Sequence, residues 1–265
     1  MLESFADQGE SLRHSAPPAS LRLVTLVSQG DSATELPLLW QLCLALHGFG
    51  YPPVVLDATS LESQQHPGLQ DLLGHAHWTQ PDTSDALGWQ VMPAASGLRT
   101  LARARTADQM PLQPLAPLFR DYSVIVLYAR AELLIPLLRD SGAQPVLAVT
   151  PSRSGVLQGY RTLKQLALQA RLVPTLVAPV ASALKNAESL AKSAAKKLQN
   201  CAMTYLGCNA DMMTVRSDGP PGHRTDDAQR LALRLLESAI GIGAEQQPGP
   251  WMQRAAAPLR MAQAL

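Results

Sequence analysis

The chain has 265 residues, a formal net charge of +1 and 46% apolar residues, which suits one large α/β domain with flanking segments and excludes a protein drawn to nucleic acid by charge alone. No stretch reaches the roughly 18 uninterrupted apolar residues of a spanning helix, and the first residues are too acidic and polar for a secretory leader. Cys43, Cys201 and Cys208 form no Cys-x-x-Cys pair, so a soluble, reduced, cytoplasmic protein is expected.

Residues 1–20 read as an arm, in which 5–13 can form two helical turns and Ser15-Ala-Pro-Pro-Ala-Ser20 is a linker that cannot continue a helix. Residues 21–28, rich in β-branched side chains, predict a buried strand. Gln29 to Thr34 is a short polar loop. Residues 37–48 predict an apolar helix with Pro37 near its start, Gly48 at its end and Cys43 as a small core residue. A second strand, 53–57, follows at once. The polar stretch 60–85 carries His66, His75 and His77 without the ligand spacing of a metal centre, so no metal is expected.

Residues 89–93 predict a short strand that runs into a basic helix through Arg99, Arg103 and Arg105. Residues 122–128 and 145–150 predict two more strands, with a short helix at 131–138 between them. A helix at 156–170 and a buried strand at 172–180 come next. The helix at 182–200 is expected to turn Leu184, Leu190, Ala194 and Leu198 inward and Lys185, Lys192, Lys196 and Lys197 outward. Tyr205-Leu-Gly207 precedes a polar loop. Thr225 then caps a helix with Asp226 and Asp227 in its first turn and Gly241 at its end. Gln246 to Pro250 is a linker to a tail, 251–265, that carries Trp251, Met252, Leu259, Met261 and Leu265. The expected organisation is an arm at 1–20, an α/β domain at 21–243, and a linker and tail at 244–265.

Strands alternating with helices imply a mainly parallel, twisted sheet with helices on both faces. Ligands of such sheets sit beyond the carboxyl ends of the strands. Residues 21–57 form the strand–loop–helix–strand unit of a phosphate-binding domain, but the phosphate chemistry is missing. A Walker loop cradles phosphates with backbone N–H groups, a lysine and a metal-binding hydroxyl. Here Glu35 stands at the lysine position, Leu36 cannot bind a metal, and Asp31 adds a further negative charge. At about 4 Å and an effective dielectric of about 20, one unit charge on another is worth roughly 4 kcal/mol. Lysine against glutamate therefore differs by about 8 kcal/mol per unit of phosphate charge. Neither ATP nor Mg²⁺ is expected to bind tightly.

The chain resembles the MinD/ParA group of P-loop ATPases and, within it, the FlhG/FleN-type regulators of flagellar number and placement. The likeness is collinear from about Asp7 to Val215. Val24-Thr-Leu-Val-Ser28 is similar to the opening strand, and Val54-Val-Leu-Asp-Ala58 to the next, with Asp57 at the first acidic position. Asp71-Leu-Leu-Gly74, Val91-Met-Pro-Ala-Ala-Ser-Gly97, Ala148-Val-Thr-Pro151 and Thr204-Tyr-Leu-Gly207 resemble later landmarks. Asp7-Gln-Gly-Glu-Ser-Leu-Arg13 is similar to the DQAxxLR motif that opens FlhG proteins, with Gly9 in place of the usual alanine.

The resemblance implies a MinD-like P-loop fold and an arm that docks on the signal-recognition-type GTPase FlhF and stimulates its GTP hydrolysis. Gln8 would be the residue inserted in trans, since a glutamine amide can orient an attacking water, with Asp7, Leu12 and Arg13 holding the arm. It also implies a degenerate nucleotide pocket at Gly30, Asp31, Ser32, Thr34, Glu35, Leu36 and Asp57. In this pocket Gly30 stands where the family has its signature lysine, and the Walker B-like strand ends at Tyr128 instead of an aspartate. Ala178 stands where the family has its adenine-reading asparagine. The family's amphipathic membrane helix has a positional counterpart in the tail, where Pro258 and only two arginines imply weak lipid contact. Two other roles fit the same resemblance: an active MinD-type ATPase controlling polar or division-site placement, and a MinD-like scaffold for another envelope machine such as cellulose secretion. No nucleic-acid partner is expected.

Overall fold

The β-favouring run at 21–28 becomes β1 (Leu21–Ser28), central to an eight-stranded sheet. The structure, a computed structural model, describes residues 21–74, 89–104, 110–180, 186–216 and 225–243. In chain order β1 is followed by α1 (Ser32–Gly48), β2 (Pro53–Asp57), α2 (Leu69–Leu73), β3 (Gln90–Pro93) and α3 (Ala95–Arg103). The middle of the chain forms α4 (Leu115–Leu118), β4 (Val124–Arg130), α5 (Ala131–Leu138), β5 (Val146–Ala148) and α6 (Arg153–Ala170). Then come β6 (Thr175–Val180), α7 (Ala187–Leu206), β7 (Met212–Arg216), α8 (Asp226–Ser238) and β8 (Ile240–Ile242).

The strand order is β3-β2-β4-β1-β5-β6-β7, all parallel, with β8 antiparallel against the start of β1. Strand alternation splits the interior into two cores. Leu21, Leu23 and Val27 of β1 face α3, α5, α6 and α7, while Val24 and Leu26 face α1 and α8. Helices therefore cover both faces, as the alternating pattern predicts. Among the described residues no helix is long and apolar enough to cross a membrane.

Several local expectations are corrected. The helix predicted from Pro37 begins at Ser32, because Thr34 and Glu35 donate to the carbonyl of Asp31 and close a turn ahead of the proline. Strand β4 runs on to Arg130 and does not end at Tyr128. By contrast, Ala178 lies within β6, level with Thr214, inside the strand predicted at 172–180. Met212–Arg216 is an edge strand where a polar loop is predicted; its pattern is weak because only Val215 is buried. In α7, Leu190 points outward, while Ala191, Ala194, Ala195 and Leu198 pack inward. Gly241 does not end α8 but pairs with Arg22 in β8. Arg105, His75, His77, Leu184, Lys185 and the tail lie outside the described residues.

Candidate functional site: a buried carboxylate at the carboxyl edge of the sheet

The first strand, the turn after it and the start of α1 meet at the carboxyl edge of the sheet, where a ligand of this architecture would bind. Glu35 occupies that point and is fully buried. Its Oε1 accepts from the backbone N–H of Gln29 at 2.7 Å. Its Oε2 accepts from the Tyr128 hydroxyl at 2.6 Å and from Ser28 Oγ at 3.2 Å. A carboxylate thus sits among donors that could otherwise serve an anionic ligand.

The remaining donors of the loop are mostly spent within it. The N–H of Gly30 donates to Ser28 Oγ at 3.3 Å, and those of Thr34 and Glu35 turn back on Asp31. Gln29 spans the edge and donates from Nε2 to the carbonyl of Ala148 at 2.6 Å. Gly30 has φ +87°, so a lysine here, as in the resembled family, would be strained. Ser32 is exposed on the first turn of α1, and Thr34 is half-buried there.

Strand register explains how Tyr128 reaches Glu35. Tyr128 lies level with Leu26 on β1 and with Asp57 on β2. Burial raises the Tyr128 phenol above its ordinary pKa, and the hydrogen bond to Glu35 adds to the rise. The phenol therefore stays a donor. Asp57 keeps to its own strand end: Oδ1 accepts from the Thr59 N–H and hydroxyl at 2.8 and 2.6 Å, and Oδ2 from Ser60 Oγ at 2.6 Å.

Leu36, at the metal-binding position of the resembled family, is 48% exposed. It lines a mainly apolar cavity of about 200 Å³ with Trp40, Val55, Asp57, Trp89, Val91 and Tyr128. Trp40 and Trp89 meet edge to face, with ring centroids 5.0 Å apart and an interplanar angle of 75°. Cys43 closes the floor, and its burial pushes the thiol well above the usual range.

Beyond this cavity, Glu62 reaches the start of α3. Its oxygens accept from the N–H groups of Ser96 and Gly97 at 2.8 and 2.9 Å. Burial pushes this carboxyl upward, but those two N–H groups outweigh it and hold the carboxyl below its ordinary pKa. The N-cap residue of α3 is Ala94, which has no side-chain acceptor, so Glu62 caps the helix from another segment.

The structure places Gly30, Asp31, Ser32, Thr34, Glu35, Leu36 and Asp57 at one edge of the sheet. Asp7, Gln8, Leu12 and Arg13 lie outside the described residues. Sequence reasoning noted Tyr128 only as an absent aspartate and missed its bond to Glu35. It also missed Ser28, Gln29, Glu62 and the Trp40–Trp89 pair. The available signal was the pairing of an unexpected carboxylate with an unexpected hydroxyl at two facing positions of one site.

No family model matches the chain, and no curated protein matches it in sequence. Solved structures do. A chain of the MinC:MinD cell division protein complex of Aquifex aeolicus is similar with a TM-score of 0.55 at 11% identity, covering 83% of this chain and 98% of that one. The MinD cell division protein of Aquifex aeolicus is similar with a TM-score of 0.52 at 13% identity, over 83% and 98% of the two chains. The chain has the MinD/ParA P-loop fold.

Proposed function

We propose that the chain is a FlhG-like pseudo-ATPase, a binding protein that engages a FlhF-type signal-recognition GTPase through its 7–13 arm and stimulates GTP hydrolysis there. Glu35 carries the non-enzymatic half of this reading. Its carboxylate takes the Gln29 N–H and the Tyr128 hydroxyl within the phosphate loop. An incoming triphosphate would have to displace that carboxylate and then face its charge, at a cost of several kcal/mol. Leu36 and Tyr128 offer no metal ligand in compensation. The protein accordingly works as a cytoplasmic regulator of flagellar assembly, with its tail giving at most weak contact to the inner membrane.

The arm half rests on Asp7-Gln-Gly-Glu-Ser-Leu-Arg13 and on the fold to which the arm is joined. The test is GTP turnover by a FlhF-type GTPase with and without the full-length chain. Stimulation by the native chain and its loss with Gln8→Ala, binding being retained, is the expected result. Equal stimulation by both proteins would contradict the assignment of Gln8.

A further inference from the structure

The closed phosphate site leaves its neighbour, the cavity of about 200 Å³ beside α1, with a chemistry of its own. Its lining includes Leu36, Trp40, Val55, Trp89 and Val91, together with Asp57 and Tyr128. The Tyr128 hydrogen is committed to Glu35, so toward any further ligand the phenol oxygen can only accept. The Asp57 carboxylate accepts from the Thr59 N–H, the Thr59 hydroxyl and the Ser60 hydroxyl, all of them neutral donors. Among the described residues the ion pairs involve Asp140, Asp211 and Asp227, so Asp31, Glu35 and Asp57 have no cationic partner within 4.0 Å. An ATPase of this fold concentrates positive charge here to meet phosphate; this chain presents carboxylates and two indole rings.

We infer that this cavity is a docking pocket for an arginine side chain of a partner protein. An arginine lays its apolar stem along aliphatic walls and stacks its guanidinium on an aromatic face while donating to a carboxylate. Leu36 and Val55 supply the first surface, Trp40 and Trp89 the second, and Asp57 the third. The cavity has room for one long side chain. Its rim argues for a protein and not a free small cation, because Trp40 is 39% and Val91 61% exposed beside it. A lone cation would leave those groups wet, whereas a peptide flanking its arginine with apolar residues would cover them. None of these residues belongs to the 7–13 arm, so the pocket adds a second contact to the proposed binding role, and either can fail alone.

The test uses the full-length protein and the indole N–H resonances of Trp40 and Trp89, assigned with Trp40→Phe and Trp89→Phe. The probes are the blocked peptide acetyl-Leu-Arg-Leu-amide, its citrulline counterpart, which keeps the shape and loses the charge, and methylguanidinium chloride. The arginine peptide should shift both resonances saturably and bind roughly tenfold more tightly than the citrulline peptide. Asp57→Asn should remove most of that preference. Val91→Lys, an exposed change that leaves the core alone, should weaken the arginine peptide by roughly tenfold through like charge at the rim. Equal binding of the arginine and citrulline peptides would overturn the inference, as would unchanged affinity in Val91→Lys. Methylguanidinium binding as tightly as the peptide would make this a small-cation site and overturn the assignment to a partner segment. Indole resonances unmoved by every probe would overturn the pocket itself.

Discussion

Glu35 is held by donors from the end of β1, the turn after it and the neighbouring strand β4. Taking away the Tyr128 hydroxyl leaves a buried carboxylate short of a partner, which costs about 1–3 kcal/mol. Tyr128→Phe should therefore lower stability by that amount in urea unfolding, with the denaturant slope unchanged. A variant as stable as the native chain would mean that the bond carries nothing. Glu62 yields a pH prediction of known sign. Its carboxyl pKa is depressed in the folded state, so the stability it contributes is present above the unfolded value of about 4.3 and lost as pH falls through the folded value. Glu62→Gln should cost about 1 kcal/mol at neutral pH, as a lost cap does. It should also flatten the fall of stability with acid below about pH 5. Glu35 and Leu36 were legible because each changes the chemistry of an expected position by itself, and Asp57 because it keeps the acid expected at its own. The bond from Tyr128 was not, because its partner lies 93 residues away and strand register alone brings them together. The cap of α3 by Glu62 was hidden for the same reason, with donors 34 and 35 residues distant.

Apolar runs with turn formers at their ends located most elements, and errors collected where backbone bonding outweighs side-chain pattern. Helix α1 absorbs the predicted loop because the Asp31 carbonyl begins its hydrogen bonding ahead of Pro37. Strand β7 escaped because an edge strand with one buried residue shows no alternation. Helix α3 shows the opposite case, in which one glycine is dictated by packing. A Cβ on Gly97 would lie 2.7 Å from Leu69 Cγ and 2.9 Å from the Gln70 nitrogen, so α2 and α3 can approach only without it. Gly97→Ala should destabilise the protein by about 1–3 kcal/mol, as overpacking does, despite alanine's better helix propensity. A neutral or stabilising effect in thermal unfolding would show that the contact between these helices yields easily.

At the scale of the described molecule, a MinD/ParA-type fold carries a buried glutamate at the carboxyl edge of its sheet. The parallel sheet, its strand order and the helix following β1 are those of a MinD-type fold. That level was readable because strand and helix periods repeat along the chain and need no single residue. The carboxyl edge carries Asp31, Glu35 and Asp57 beside an aromatic-walled cavity. The fold therefore constrains where a ligand would lie, and the residues decide what it can be. The most direct test is calorimetric titration of the full-length protein with a non-hydrolysable ATP analogue and Mg²⁺. Glu35 closing the loop predicts no saturable binding up to about 1 mM, a level worth only about 4 kcal/mol. Saturation at micromolar nucleotide would contradict it.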